Sequence, residues 1–271
     1  MRLGIGSYTY VWAVGVPGYP PPAQPLGASG LLEKAAALDL RVVQIADNLP
    51  LHRMTEAELE RLRREGEERA IELEIGTSGI EGENLRRHLE IARKLRARFV
   101  RTMTDTATAR PTPDEVVVRL SPLMAEFERA GVTVGLENHD RFSAVVLRDI
   151  IERVGSPALG ICLDTANSLG CLEGPDHVVE TLGPLTVNVH LKDVRAFRPP
   201  HHKGFVIEGR PAGQGQIDFR RVLQRLREVG AKGNAIVELW PAPEPNVENV
   251  VTKEDAWARE SVAHLRPLVE N

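Results

Sequence analysis

Hydrophobic and polar residues alternate strictly over residues 186–193. Val187, Val189 and Leu191 alternate with polar residues, which is the period of a β-strand with one apolar and one polar face. Segments 132–139, 160–164 and 234–240 repeat the arrangement. The polar face of each of these four segments carries an acidic residue or a histidine, namely Glu137, Asp164, His190 and Glu238. The pattern therefore predicts four strands with functional groups near their ends.

The remaining chain alternates between short apolar runs and amphipathic segments. Strands are predicted over 3–8, 41–45, 71–76 and 98–103, and the stiff, Pro-rich segment 9–28 is predicted to be a loop that covers something. Capping boxes at Thr55 and Thr112 begin two helices. Further helices are predicted over 29–39, 84–97, 143–154, 175–182, 218–229 and 252–269. Eight strands, each followed by a helical segment, predict an α/β protein with the (β/α)8 TIM barrel fold.

Length and composition favour one domain and an intracellular protein. A chain of 271 residues with 42% hydrophobic content can bury one core, so residues 1–271 are predicted to form a single barrel domain. The net charge of −4 gives no general attraction to nucleic acid or to a membrane surface. Two cysteines are too few for a disulfide framework. With no basic segment followed by an apolar run at the start, and no apolar stretch of ~20 residues, we expect a cytoplasmic protein.

The four candidate residues together point to a metal. In a barrel, side chains at the carboxyl ends of the strands build the site, and three carboxylates crowded together need a counter-charge. One nitrogen and three oxygens suit Mn²⁺, Co²⁺ or Mg²⁺, and Zn²⁺ also fits. Such a metal could hold two substrate oxygens and stabilise an enediolate, the intermediate of sugar isomerisation and epimerisation. A neighbouring carboxylate could then act as the base.

Several motifs around these residues carry a resemblance. Residues 135–139 (GLENH), 163–167 (LDTAN), 190–193 (HLKD), 213–218 (GQGQID) and 237–239 (VEL) resemble the xylose isomerase-like barrel superfamily, and their order is most similar to its tagatose/psicose 3-epimerase branch. The resemblance implies that Glu137, Asp164, His190 and Glu238 bind the metal, with Mn²⁺ the leading candidate. It also implies that Glu137 and Glu238 are catalytic, one removing a proton and the other returning it on the opposite face.

One position departs from the epimerase pattern. Asn167 stands where the epimerases have the histidine of Asp-x-x-His, a residue that contacts substrate oxygen. Lys192 shares the phase of His190, and further cationic residues on neighbouring loops indicate an acidic substrate: Arg141, His201, His202, Lys203 and Arg210. Segments 44–50, 137–142 and 208–215 are similar to 3-oxo-isoapionate decarboxylases, another branch of the superfamily. The leading hypothesis is a divalent-metal-dependent isomerase or epimerase of a small ketose or sugar acid, and the alternative is a metal-dependent decarboxylase of an oxo-sugar acid.

The predicted substrate-binding residues are Tyr8, Trp12, His139, Asn167, Lys192 and Arg210. Tyr8 and Trp12 form either an apolar wall over the sugar or a packed loop, and His139 either contacts substrate or orients Glu137. Lys192 either binds substrate or is a solvated residue paired with Asp193. The turn at 213–215 either cradles a phosphate or simply precedes the helix cap at Asp218.

Other functional classes fit the sequence less well. A three-zinc DNA-repair endonuclease of the same superfamily needs further histidine ligands, but strands two and three end in Asp47 and Ser78. A carbohydrate-binding barrel without catalysis would bind sugar equally well after Glu137 or Glu238 became Gln. The expected partner is a small sugar or sugar-acid substrate, with neither nucleic acid nor membrane. The sequence does not fix the oligomeric state, although barrels of this branch often pair as homodimers.

Overall fold

A computed structural model of the protein describes residues 1–201 and 203–269. The strands of the barrel are β1 (Leu3–Gly6), β2 (Val42–Ile45), β3 (Glu72–Gly76), β4 (Phe99–Thr102), β5 (Thr133–Glu137), β6 (Leu159–Asp164), β7 (Thr186–Leu191) and β10 (Ala235–Val237). Between β7 and β10, the strands β8 (Asp193–Phe197) and β9 (Val206–Arg210) form a separate hairpin. All barrel pairings are parallel, and β1 closes the ring by pairing with both β10 and β2. The predicted α/β fold, a (β/α)8 TIM barrel, is confirmed.

Helices surround this barrel. They are α1 (Val11–Val14), α2 (Ala28–Ala37), α3 (Glu56–Glu68), α4 (Gly82–Leu95), α5 (Pro113–Ala130), α6 (Ala144–Val154), α7 (Pro175–Leu182), α8 (Phe219–Glu228) and α9 (Val247–Val269). Both predicted capping boxes form: Thr55 and Thr112 accept from the backbone N–H groups of Glu58 and Glu115, whose carboxylates bind back to the caps. Among the helices of the described ranges, none combines the length and the apolarity that a membrane crossing requires.

The structure differs from the sequence prediction at four places. β1 ends at Gly6 rather than at residue 8, because the Thr9 hydroxyl accepts a hydrogen bond from Gly6 N at 2.8 Å and donates one to the Val237 carbonyl, which turns the chain into a 3-10 helix. The predicted loop 9–28 contains the short helix α1, and α9 begins at Val247 instead of residue 252. The hairpin of β8 and β9 occupies a segment for which no strand was predicted.

The barrel interior below the site is polar. Glu74 on β3 accepts hydrogen bonds from Gln44 on β2 at 3.1 Å, from Asn188 on β7 at 2.9 Å and from Asn234 at 2.8 Å. β3 and β7 are not neighbours in the ring, so the bond between Glu74 and Asn188 crosses the barrel. Apolar side chains instead fill the layer between strands and helices, where each large one contributes about 1.5–3 kcal/mol on burial. The site therefore rests on a hydrogen-bonded polar floor.

Candidate metal centre at the barrel mouth

The four residues predicted as ligands lie together at the carboxyl ends of consecutive barrel strands. Glu137 ends β5, Asp164 ends β6, His190 lies one residue before the end of β7, and Glu238 follows β10. Asp164 and His190 are direct partners in the pairing of β6 with β7. One potential ligand atom from each of the four residues lies within 4.8 Å of the others, and all four side chains are buried. This arrangement could hold a divalent metal.

His190 lies at the centre of the group. Its Nδ1 is 3.2 Å from Oε1 of Glu137 and 3.0 Å from Oε1 of Glu238. Burial lowers the pKa of His190, but Cys162 and the carboxylates of Glu238 and Glu137 outweigh burial, and the net shift is well upward. Burial likewise raises the pKa of Glu238, yet His190 and Lys192 bring it below its usual value. Without a metal, the charges of the group therefore favour the charged forms of His190 and Glu238.

Lys192 places a second cation in this group. Its Nζ lies 2.9 Å from Oδ2 of Asp164 and 2.9 Å from Oε2 of Glu238, and it donates to Oδ1 of Asn167 at 3.1 Å. Burial lowers the pKa of Lys192, but Asp164 and Glu238 raise it above its usual value overall. The carboxylates that Lys192 pairs with are therefore those of the predicted ligands, not that of Asp193.

Arg101 on β4 is a site residue that the sequence reading missed. It is 4% exposed; its Nε donates to Glu137, and one terminal nitrogen donates to Oδ1 of Asp47 at 2.8 Å. Although burial raises the pKa of Glu137, Arg101 and His190 lower it overall. The available signal was an arginine inside a short apolar strand, since a buried arginine almost always has a partner.

Asp164 is fixed by its neighbours. Asn138 donates from Nδ2 to the Asp164 carbonyl at 2.9 Å and accepts from the Asp164 N–H at 2.7 Å. Oδ1 of Asp164 accepts from the N–H groups of Ala166 at 2.7 Å and Asn167 at 2.8 Å, while Oδ2 faces Lys192. The Asn167 side chain also donates to Oε1 of Glu137 at 2.9 Å. Asn167 thus bridges a predicted ligand, Glu137, and Lys192.

A cavity of about 510 Å³ opens beside the centre, and Tyr8, His139, Asn167, Lys192 and Glu238 contribute polar groups to its wall. A smaller inner chamber of about 100 Å³ is lined by Tyr8, Arg101, Glu137, Asn167 and Lys192, among others. The Tyr8 hydroxyl donates to Asp47 at 3.2 Å. Ile207 on β9, Leu239 and Trp240 form an apolar side of the larger cavity. The site can therefore enclose a small polar molecule with one apolar face.

Three predicted substrate-binding residues lie elsewhere or point differently. Trp12 is absent from the walls of both cavities: its indole is buried and donates to the Pro241 carbonyl at 3.0 Å. Arg210, also absent from these walls, pairs with Glu208 at 2.8 Å within the hairpin. The His139 ring lines the cavity but contacts Asp140 at 2.8 Å rather than Glu137.

The remaining loop cations lie on two loops, one after β5 and one between β8 and β9. Arg141 pairs with Asp105 at 2.5 Å, and residues 201 and 203 lie in the hairpin turn between β8 and β9. His202 lies outside the described residues. Arg141 lines a smaller cavity together with Glu137, one of the predicted ligands.

The turn at 213–215 binds a carboxylate of the protein itself. Asp193 accepts from the N–H groups of Gly213 at 2.8 Å, Gly215 at 2.9 Å and Ile217 at 3.1 Å. These amides form the concave anion site that a phosphate would need. The turn therefore anchors the hairpin next to Lys192, and its amides are already used by Asp193.

The donor set itself fits a divalent metal. Three carboxylates and one imidazole are ligands that Mn²⁺, Mg²⁺ and Co²⁺ accept. Asn138, Arg101 and Gln44 hold the Asp164 backbone, Glu137 and His190, respectively, in the way that outer hydrogen bonds orient metal ligands in proteins. The identity of the metal stays a prediction.

Comparisons with known proteins agree with this architecture. The sequence profile of the family described as "Xylose isomerase-like TIM barrel" matches residues 32–268. A 3-oxo-isoapionate decarboxylase of Pectobacterium atrosepticum is 35% identical over 267 residues, which cover 98% of this chain and 95% of the relative. A D-psicose 3-epimerase crystallised in the presence of D-fructose has a TM-score of 0.75 at 17% identity over 100% of both chains. A Mycobacterium smegmatis barrel in complex with magnesium has a TM-score of 0.68 at 14% identity over 97% of both chains. The chain therefore belongs to the xylose isomerase-like TIM barrel family.

Proposed function

We propose that this protein is a divalent-metal-dependent decarboxylase of an oxo-sugar acid. The observation that carries the proposal is the position of Lys192, whose ammonium lies within 2.9 Å of two predicted metal ligands, Asp164 and Glu238. The decarboxylase relative, which is similar over 98% of the chain, supports the same reaction class. The proposed enzyme is thus a carboxy-lyase, which was the alternative hypothesis from the sequence.

A metal held by Glu137, Asp164, His190 and Glu238 would polarise the substrate carbonyl and stabilise negative charge on its oxygen. In decarboxylation of a β-oxo acid, the bond between the carboxylate and the adjacent carbon breaks, carbon dioxide leaves, and the electron pair passes to the carbonyl oxygen. A proton must then reach that carbon. Lys192 lines the inner chamber and is held protonated by Asp164 and Glu238, so it carries both a positive charge for the developing anion and a transferable proton.

Two features of the site shape this assignment. Lys192 is not the neutral amine that a Schiff-base mechanism needs, because its carboxylate partners raise its pKa. The apolar side formed by Ile207, Leu239 and Trp240 can face the departing carbon dioxide, whereas the polar side holds the sugar hydroxyls.

A sugar isomerase or epimerase is the second candidate, and one observation favours it. Glu137 and Glu238 lie 3.2 and 3.0 Å from the same nitrogen of His190, so two carboxylates could address one substrate carbon. In that case one carboxylate would remove a proton and the other would return it. Asn167, which holds Glu137 and Lys192, occupies the position of the epimerase histidine and opposes this reading.

The test is a substrate screen with the Mn²⁺-loaded protein. A panel of oxo-sugar acids and ketoses is followed for released carbon dioxide and for deuterium incorporated from solvent. We expect carbon dioxide from an oxo-sugar acid, lost in Lys192→Met and retained in Lys94→Met, a change on the outer face of α4 where Lys94 pairs with Glu56. Deuterium exchange into a ketose without carbon dioxide, lost in Glu137→Gln, would establish the isomerase or epimerase instead.

A further inference from the structure

A side-chain amide lies directly beneath His190. Oε1 of Gln44 is 2.8 Å from Nε2 of His190, the ring nitrogen that faces away from Glu137 and Glu238. Gln44 is 1% exposed and is located on β2, across the barrel from β7. Its other amide atom, Nε2, donates to Oε2 of Glu74 at 3.1 Å and to Oδ1 of Asn188 at 3.4 Å.

The neighbours of Gln44 fix which way its amide points. Nδ2 of Asn188 donates to Glu74 at 2.9 Å, so the Asn188 oxygen is turned towards Gln44. Gln44 therefore meets acceptors on one side and must present its NH₂ group there, which leaves its oxygen facing His190. A carbonyl oxygen only accepts. The Nε2 atom of His190 consequently carries a hydrogen, and Nδ1, once it has released its own hydrogen, is the nitrogen available to a metal.

We propose that Gln44, held in place by Glu74, is a positioning residue for the metal ligand His190. It fixes the hydrogen on Nε2 and the orientation of the ring, so that the Nδ1 lone pair is directed at the centre formed with Glu137, Asp164 and Glu238. The inference rests on the metal dependence of the proposed function. Mutation of a residue that hydrogen-bonds to a ligating histidine typically lowers metal affinity by about 10–100-fold.

A second group touches the same nitrogen and provides the matched control. Sγ of Cys162 lies 3.3 Å from Nε2 of His190 and 3.7 Å from Oδ1 of Asn188. A thiol is a much weaker partner than an amide oxygen. Cys162→Ala removes this contact and leaves the bond from His190 to Gln44 intact, so we expect its affinity for Mn²⁺ to stay within about threefold of the wild type.

The experiment measures Mn²⁺ affinity by titration calorimetry, with the unfolding temperature of each metal-free variant as a check of folding. Gln44→Leu is expected to weaken Mn²⁺ binding by about 10–100-fold. The double variant Gln44→Glu/Glu74→Gln should restore it: if the Asn188 amide turns over, every bond of the network again joins a donor to an acceptor, and the charge is unchanged. In the Zn²⁺-loaded protein, nitrogen NMR should show the His190 hydrogen on Nε2 in the wild type and the double variant.

Each contrary outcome has a definite meaning. A folded Gln44→Leu variant with wild-type Mn²⁺ affinity would overturn the role of Gln44 while leaving the proposed function in place. The role of Gln44 would likewise be overturned if Cys162→Ala weakened Mn²⁺ binding and Gln44→Leu did not. The same holds if the double variant bound Mn²⁺ as weakly as Gln44→Leu, or if NMR placed the His190 hydrogen on Nδ1. A wild-type protein that binds no Mn²⁺ would overturn the metal-dependent function and this inference together.

Discussion

The Nζ atom of Lys192 lies 2.9 Å from Oε2 of Glu238, so a cation of the chain neutralises one of the predicted metal ligands. A metal and Lys192 therefore share the same carboxylates. Like charges close together in a buried site repel each other. The positive charge of Lys192 is therefore expected to lower the affinity of the site for a metal ion, and under the proposed function Lys192 acts on the substrate.

Replacing Lys192 should move metal affinity and turnover in opposite directions. In Lys192→Met, the carboxylates of Asp164 and Glu238 lose a competing cation, so Mn²⁺ is expected to bind about tenfold more tightly. Turnover of the oxo-sugar acid should fall by at least about 100-fold, because the charge and the proton are lost. Calorimetry and steady-state kinetics measure the two effects. Weaker metal binding together with slower turnover would show that Lys192 acts structurally.

Removing one ligand or the metal should abolish activity. Asp164→Asn keeps the hydrogen bonds from Ala166 and Asn167 through its oxygen but removes a negative charge, so Mn²⁺ binding is expected to weaken by about 100-fold or more. A chelator should inactivate the wild type, and added Mn²⁺ should restore it. Asp176→Asn, an exposed acid on α7, serves as the control. Full activity of chelated protein would contradict the metal requirement.

The fold could be predicted from the sequence because strand and helix periods are local. The alternation placed Glu137, Asp164, His190 and Glu238 on polar strand faces. Their positions at the carboxyl ends of parallel strands bring them to one end of the barrel, within 4.8 Å of each other. Alternation could not supply the partner on a neighbouring strand. Arg101 on β4 binds Glu137 at the end of the adjacent β5, and Asp47 beyond β2. Such pairings depend on which strands are neighbours and on their register.

The orientations of Tyr8 and Trp12 also could not be predicted from the local sequence pattern. Tyr8 and Trp12 are four positions apart, yet Tyr8 lines the cavity and Trp12 does not. The direction of Trp12 is set by α9: Glu254 accepts hydrogen bonds from the Trp12 and Ala13 N–H groups at 2.8 and 3.0 Å. A contact spanning more than two hundred residues has no signature in the local pattern, so the clustering of aromatic residues predicted a covering segment without its orientation.

Glu254 should make stability depend on pH. Burial raises its pKa from 4.5 to about 8, against the lowering effect of the Trp12 and Ala13 amides. Between these two values the folded protein binds a proton that the unfolded chain has released, so this residue's contribution to stability falls as pH rises from about 4.5 to about 8. Glu254→Gln resembles the protonated form. Its unfolding free energy should therefore rise relative to that of the wild type by about 1.4 kcal/mol for each pH unit within this window.

The measurement is urea unfolding at about pH 5 and about pH 9, with chelator present so that metal binding does not contribute. Glu248→Gln is the matched control, since Glu248 also accepts a backbone N–H, from Ala23 at 2.7 Å, but at an exposed position. A difference between Glu254→Gln and wild type that is constant across pH would show that Glu254 is ionised throughout this range.

A methyl group at residue 215 should loosen the hairpin and slow the reaction. A Cβ on Gly215 would lie 2.1 Å from Oδ1 of Asp193 and 2.5 Å from the Val194 carbonyl, so Gly215→Ala must break the anchor that Asp193 makes with the turn. We expect a loss of about 1–3 kcal/mol in unfolding free energy, faster proteolysis within β8 and β9, and a fall of about tenfold in kcat/KM, since Ile207 and Lys192 both border the cavity. Gly174→Ala, at the N-cap of α7, has no atom within 4 Å of the new methyl group and should leave both the proteolysis of the hairpin and kcat/KM unchanged. If Gly215→Ala loosened the hairpin without affecting kcat/KM, β8 and β9 would have no part in shaping the substrate cavity.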